Sequence, residues 1–233
     1  MSGEHVGVVG DRSLASAVEA AGGRPVTDET EDVGFVVAGG EPAVVDLARR
    51  GVEVPVLPVD AGRGVRSVSA DDAGVAVECV LGGEYGTEHR SVVSTQAGER
   101  AVFDVALAAA EPARISAFSV RHDGERIATF RADGVVASTP AGSVGYNRSA
   151  GGPILAPGTD AVVVVPIAPF ATDTDRWVLP TADVALVVER DETPVELLAD
   201  GRPERTVSTG EPVALSEATG VTTVVVPESE PFF

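Results

Sequence analysis

The chain contains no lysine, so all 17 of its basic residues are arginine, against 36 aspartates and glutamates in 233 residues. The resulting formal charge of −19 opposes a polyanion, and nucleic-acid binding is excluded on that ground. Cysteine is nearly absent too. Cys79 stands alone, which rules out an internal disulfide and a cysteine metal cluster. It sits on a helical pattern from Asp71 to Gly82 and reads as core filler. No apolar run approaches the roughly 20 residues a bilayer requires, and Met1 to His5 carries no basic region followed by an apolar one. These absences together describe a soluble, cytoplasmic protein with no membrane partner.

Apolar residues make up 44% of the chain, enough for one large core or two modest ones and too many for a disordered segment. The carboxylates are dispersed, at Glu29 to Asp32, Asp71-Asp72, Asp173 to Asp175, Glu189 to Glu192 and Glu228 to Glu230. Dispersed surface carboxylates keep a protein hydrated when salt shortens the Debye length to a few ångströms. We read adaptation to a salty interior rather than a cationic partner.

The first 90 residues alternate strand and helix. His5 to Gly10 is a short apolar run, Asp11 or Ser13 can cap a helix at Leu14 to Ala21, and a strand restarts at Val33 to Ala38. This is the pattern of a parallel sheet. Gly39-Gly40-Glu41-Pro42 follows that strand, with Pro42 placed to open the helix Ala43 to Arg50. Ligands of open α/β sheets bind at such carboxyl ends. Glu41 there is either a catalytic base or an ordinary acidic residue in a helix's first turn, and composition favours the ordinary one. A third strand, Val54 to Asp60, ends in Ala61-Gly62-Arg63-Gly64 and repeats the arrangement of strand, carboxylate and glycine turn.

From Ser91 the chain breaks into short β-rich runs. They are Ser91 to Thr95, Arg100 to Ala109, Arg114 to Arg121, Glu125 to Arg131, Gly134 to Ser138, Ala161 to Ile167, Asp183 to Val188, Val195 to Ala199, Val213 to Glu217 and Thr222 to Val226. His122-Asp123-Gly124-Glu125 is a tight hairpin turn. So many short strands imply a β-sandwich-like second domain. The expected architecture is a small Rossmann-like α/β domain over 1–90 followed by a larger β-rich domain over 91–233. One helix is expected in the second half, from Gly142 to Ala150.

The run Asp133 to Pro153 combines a buried strand, a turn rich in hydroxyls and glycines, Tyr146, Ser149 and a second glycine pair. Such a turn offers backbone N–H groups and close approach to a polyphosphate or dinucleotide. Asp133-Gly134, Ser138-Thr139-Pro140-Ala141-Gly142-Ser143-Val144-Gly145-Tyr146 and Ser149-Ala150-Gly151-Gly152-Pro153 resemble the signature of the NAD kinase family. Further segments resemble that family in the same order. They are Gly39 to Pro42 at its G-G-D-G, Pro55 to Gly62, Tyr85 to Arg90, Ala101 to Val105, Arg176 to Pro180, and Asp200-Gly201-Arg202 at its late D-G-Q.

The resemblance implies a kinase that moves a phosphoryl group from ATP, or polyphosphate, to the 2′-hydroxyl of NAD, with Mg²⁺ accompanying ATP and with a homo-oligomeric assembly. It places the catalytic role on Glu41. The phosphate donor falls to Gly39, Gly40, Asp60 and Gly62, and NAD to Asp104, Asp133, Ser138, Thr139, Gly142, Ser143, Tyr146 and Ser149. It implies no protein metal ligands. The departures concentrate on the donor side. Glu41 stands for aspartate, setting its carboxylate one bond, ~1.5 Å, further out, a misplacement that can cost on the order of 100-fold in rate. Pro42 stands for glycine and deletes an N–H, Pro58 and Asp60 stand for glycine and asparagine, and Phe103 stands for asparagine. Val144 and Gly145 depart within the signature itself. A non-catalytic paralogue that binds NAD(P) or another nucleotide as a sensor, or as partner of a working kinase, is the alternative these departures suggest.

Overall fold

A computed structural model describes residues 4–28, 30–111 and 115–233. Met1 to Gly3, Glu29 in the acidic run, and Arg114 at the expected start of a strand lie outside the described residues. Contacts divide the chain into two compact units, Met1–Arg90 with Gly220–Phe233, and Ser91–Thr219. The first unit thus joins the last 14 residues of the chain to its first 90.

In the first unit, β1 (His5–Val9), α1 (Leu14–Ala20), β2 (Arg24–Thr27), β3 (Phe35–Gly39), α2 (Glu41–Arg50), β4 (Val56–Val59) and α3 (Ala73–Leu81) build a parallel sheet of order β2-β1-β3-β4. β3 and β4 are near-continuous apolar runs because parallel strands covered on both faces have no wet side. The core gathers Val6, Val8, Phe35, Val37, Leu57 and Val59 with Leu14, Val18, Ala76 and Val77 of the helices. Ser13 stands at the N-cap of α1, and Asp11 braces the turn before it. Its carboxylate accepts from Ser13 N at 2.9 Å while the Ser13 side chain makes no cap. Helix α2 begins two residues before the expected Ala43, with Glu41 at its start, and Gly51 ends it in the left-handed region at φ 66°.

The edge strand β2 was not legible in the sequence, since it is half exposed and contains Pro25, which an edge tolerates. β5 (Gly86–Thr95) and, at the far end of the chain, Pro212–Val225 each straddle a unit boundary. Among the described residues no helix is long and apolar enough to cross a membrane.

The second unit is a sandwich. Its chain order is β6 (Arg100–Ala101), β7 (Asp104–Ala109), β8 (Ser116–His122), β9 (Glu125–Ala132), β10 (Gly134–Ser138), α4 (Pro140–Ser143), α5 (Tyr146–Ser149), β11 (Ala161–Ile167), β12 (Trp177–Pro180), β13 (Val184–Arg190), β14 (Val195–Ala199), β15 (Arg202–Val207) and β16 (Pro212–Val225). One layer runs β16-β13-β8-β9 and the other β12-β11-β10-β7-β14-β15. Phe118, Val120 and Leu186 of the first pack against Leu107, Val135, Val164 and Leu197 of the second in one cluster. Burying each such side chain stabilises by roughly 1.5–3 kcal/mol. The β8–β9 turn is the expected Asp-Gly hairpin, with Asp123 at φ 51° and Gly124 at φ 74°.

Two details differ from expectation. The strands expected at 213–217 and 222–226 are one strand running through Gly220, where a Cβ would stand 2.3 Å from the His89 ring and 2.4 Å from Arg90 O. The expected helix at 142–150 is two single turns. The first starts early because Thr139 caps it with Pro140 behind, and Gly145, at φ −97° and ψ −121°, separates it from the second.

Candidate nucleotide sites of the two units

In the first unit, three carboxyl ends lie side by side in the parallel sheet, with Val9 opposite Ala38 and Gly39 opposite Val59. Gly10 and Gly39 meet there backbone to backbone. A Cβ on Gly10 would sit 2.4 Å from Gly39 O, and one on Gly39 would sit 2.7 Å from the Asp11 Cβ. Gly40, at φ 85°, donates to Val59 O at 2.8 Å and launches α2. Glu41 follows as its first residue and is exposed, as is Pro42. An anionic side chain in that first turn is favoured by the helix dipole.

One strand over, Asp60 takes φ 49°, donates its N–H to Val68 O at 2.9 Å and accepts from Ala70 N at 3.2 Å. Gly62, at φ 82°, lies exposed beyond it. Gly39, Gly40, Glu41, Asp60 and Gly62 are therefore brought to one edge of the sheet. Asp11 joins them from the turn after β1, a residue the sequence offered only as a cap; its hydrogen bonds with Ser13 hold its carboxyl below the usual range.

In the second unit, β7 is antiparallel to both its neighbours, so its first residue lies beside the ends of β10 and β14. Asp104 stands opposite Ser138, and Thr139 comes next. The hydroxyl of Thr139 donates to Val102 O at 2.5 Å and Phe103 O at 3.2 Å and accepts from Gly142 N at 3.2 Å. Ser143 donates to Pro140 O at 2.7 Å and accepts from Leu155 N at 3.0 Å. Both residues are fully buried. Their side chains hold the turn together, so they shape it without presenting hydroxyls outward.

Gly142 is needed for packing: a Cβ there would lie 2.0 Å from Phe103 O. The N–H groups of Gly142, Ser143, Gly145, Arg148 and Ser149 bond within the segment, so for these five positions the phosphate-cradle reading does not hold. Of the expected site residues in the segment, Tyr146, 52% accessible, and Ser149 are exposed, with Arg148 exposed between them. Ser138 is buried, and its hydroxyl has no partner among the described residues.

Asp133 stands apart from this group. It precedes β10 while Ser138 ends it, so roughly 16 Å of strand lies between them at about 3.3 Å per residue. It is held by Ile167 O and Ala109 N, and Gly134 beside it has no room for a Cβ, which would meet Leu107 O at 2.5 Å. The structure thus gathers Asp104, Ser138, Thr139, Gly142, Ser143, Tyr146 and Ser149, and leaves Asp133 at the other end of the strand.

Sequence reading passed over Asn147. Fully buried, it donates from Nδ2 to Ser143 O at 3.0 Å and Pro153 O at 2.8 Å, and so ties α5 to α4 and to the irregular run after it. Cys79 packs on the first unit's core as expected of filler, and partial burial, with Glu228, Glu84 and Glu78 nearby, pushes its thiol upward.

An α/β unit with glycine turns at its strand ends, and a sandwich unit carrying a capped hydroxyl and glycine turn, together define a nucleotide-handling class of protein. Residues 104–226 match the ATP-NAD kinase C-terminal domain. An NAD kinase of Gemmatimonas aurantiaca is 35% identical over 84% of this chain and 73% of its own length. One from Methanosarcina barkeri is 30% identical over 79% and 70%. The chain belongs to the NAD kinase family.

Two solved structures share the fold. The NAD kinase of Archaeoglobus fulgidus in complex with ATP has a TM-score of 0.77 at 20% identity over 94% of this chain and 92% of its own. Yeast NADH kinase complexed with NADH has a TM-score of 0.78 at 19% identity over 98% and 85%.

Proposed function

We propose that the protein is an NAD kinase, transferring the γ-phosphoryl group of ATP to the 2′-hydroxyl of NAD's adenosine ribose. The P–O bond to ADP breaks, a P–O bond to the ribose oxygen forms, and the hydroxyl proton leaves with a base. The observation that carries this reading is the 35% identity to a named NAD kinase over 84% of the chain, which spans the donor turns of the first unit and the signature of the second.

Glu41 is the base. It is exposed at the carboxyl end of β3, on the glycine turn where the family places its aspartate. Such a base contributes about 10²- to 10⁴-fold. Gly39, Gly40, Asp60 and Gly62 receive the donor's phosphates; Asp104, Tyr146 and Ser149 contact NAD, and Ser138, Thr139, Gly142 and Ser143 shape the turn that presents them.

Among the described residues no group of three or more His, Cys, Asp or Glu could hold a metal. Mg²⁺ binds through one or two carboxylates and substrate phosphates rather than in a protein cage. Accompanying ATP, Mg²⁺ would neutralise charge on the phosphates received at Gly39, Gly40, Asp60 and Gly62, with Glu41 left free to act as base. We further propose a cytoplasmic homo-oligomer adapted to high salt. Sizing chromatography reads the assembly, and a melting temperature that climbs from low to molar salt reads the adaptation.

Purified protein with NAD, ATP and Mg²⁺ in molar salt should form NADP. Absence of product at high enzyme concentration, with NAD binding confirmed by calorimetry, supports the second reading instead. That reading, a nucleotide-binding paralogue without catalysis, is favoured by Glu41 and Pro42 standing where the family has aspartate and glycine.

A further inference from the structure

Val102 and Phe103 lie between strands β6 and β7, where the chain leaves one ladder and has not joined the next. Asp104 opens β7 directly afterwards. All three backbone N–H groups of this run point to one carboxylate, that of Asp200. Val102 N donates to Oδ2 at 3.0 Å, Phe103 N to Oδ1 at 2.7 Å and Asp104 N to Oδ1 at 3.1 Å. In return Asp200 N donates to Asp104 O at 2.9 Å. Asp200 can face the run because it takes φ 50° in the Asp-Gly turn between β14 and β15, with Gly201 at φ 71°. From the opposite side, Thr139 N donates to Phe103 O at 2.9 Å and its hydroxyl to Val102 O at 2.5 Å.

We propose that Asp200 is a positioning residue for the NAD side, fixing the 102–104 run and with it the side chain of Asp104. A carboxylate accepting three backbone N–H groups is short-ranged and directional, so it sets where the Asp104 Cα sits rather than merely adding stability. The proposal rests on the NAD kinase reading and adds to it a residue that touches neither substrate. It also predicts an asymmetry: loosening the run harms NAD and leaves the donor turns alone, because those turns are built from other elements.

The test is Asp200→Asn. Asparagine tolerates positive φ and keeps the shape, but its amide turns a donor toward at least one of the three N–H groups. Steady-state kinetics would be measured for NAD and for ATP on the same preparations, with the melting temperature alongside. Displacements of this kind cost up to about 100-fold, and the expected result is a KM for NAD raised about tenfold or more with the KM for ATP within about twofold of wild type.

Equal changes in both constants, or none, overturn the proposal and leave the kinase reading standing, provided the wild type forms NADP. A wild type that neither forms NADP nor binds NAD overturns the kinase reading, and the proposal with it. Should Asp200→Asn fail to fold, Thr139→Val loosens the same run from its other side and is read by the same two constants.

Discussion

The two units hold their functional turns by different means. In the first, the strand ends are shaped by glycines whose backbones meet, Gly10 against Gly39, and by left-handed conformations at Gly40, Asp60 and Gly62. The side chains that would do chemistry, Glu41 above all, stand exposed on that frame. In the second, the turn is held by side chains bonded to backbone, the buried Thr139, Ser143 and Asn147 and the half-buried Asp200, with Gly142 pressed against Phe103. A frame of backbone leaves exposed positions open to exchange without unfolding. A frame of side chains does not. Of the family departures, Glu41 and Pro42 fall on exposed positions of the first unit and Pro58 inside its buried β4, while in the second unit the turn-holding Thr139, Gly142 and Ser143 are retained beside the altered Val144 and Gly145.

The contrast can be broken by substitution, and Gly142→Ala should do the greatest damage. Its new methyl would stand 2.0 Å from Phe103 O, and overpacking against backbone should cost about 3 kcal/mol or more, read as a fall in denaturant midpoint or as loss of soluble protein. A tolerated Gly142→Ala would show the second unit's turn to be looser than its packing says.

Within the first unit the ion cluster around buried Arg90 is the exception to the backbone rule. Arg90, 2% exposed, pairs with Glu88 at 2.7 Å, and Arg66 pairs with the other oxygen at 2.6 Å. Glu88→Gln should cost about 3 kcal/mol by leaving Arg90 charged and unmatched, measured by equilibrium unfolding. The same cluster sets a pH dependence. Burial opposes ionisation of Glu88, but hydrogen bonds from Arg66 and Arg90 win and hold its carboxyl below the usual range. Its stabilisation is therefore complete above the unfolded carboxylate pKa of about 4.3 and is lost as pH falls through the depressed folded value.

Thr139→Val should cost about 1–2 kcal/mol, the usual worth of a helix cap, with the additional loss of two bonds to the 102–103 run. The smallest effect on stability is expected at Glu41→Gln. The side chain is exposed and structurally idle, so the unfolding free energy should stay within about 0.5 kcal/mol. The ratio of these last two values measures the contrast between the units directly.

Much of this was legible in sequence because burial writes a pattern. The fully buried strands β3, β4, β10 and β11 stand out as runs of valine, and the Asp123-Gly124 turn announces its hairpin. Strands at sheet edges write no such pattern. Arg24–Thr27, Trp177–Pro180 and Arg202–Val207 are half exposed, and all three went unread as strands. Gly220 misled in the other direction, since a glycine within a strand looks like a break when its true cause is a histidine ring packed over it.

The candidate site was legible as motif but not as geometry. Thr139 and Ser143 look like ligands in sequence because hydroxyls suit phosphate, and only the structure shows them bonded inward. Asp133 adjoins the signature in sequence, yet an extended strand carries it away from the turn. Asp200 lies almost a hundred residues downstream of Asp104, so nothing local could connect them.

One assay decides whether this chain transfers phosphate through the exposed carboxylate of α2. NADP formation would be followed for wild type and Glu41→Gln in molar salt with ATP and Mg²⁺, with calorimetric NAD affinity on both. The expected result is turnover by the wild type, a fall of about 100-fold or more in kcat for the variant, and equal NAD affinity. A wild type that binds NAD without making NADP, or a variant as active as the wild type, would contradict it.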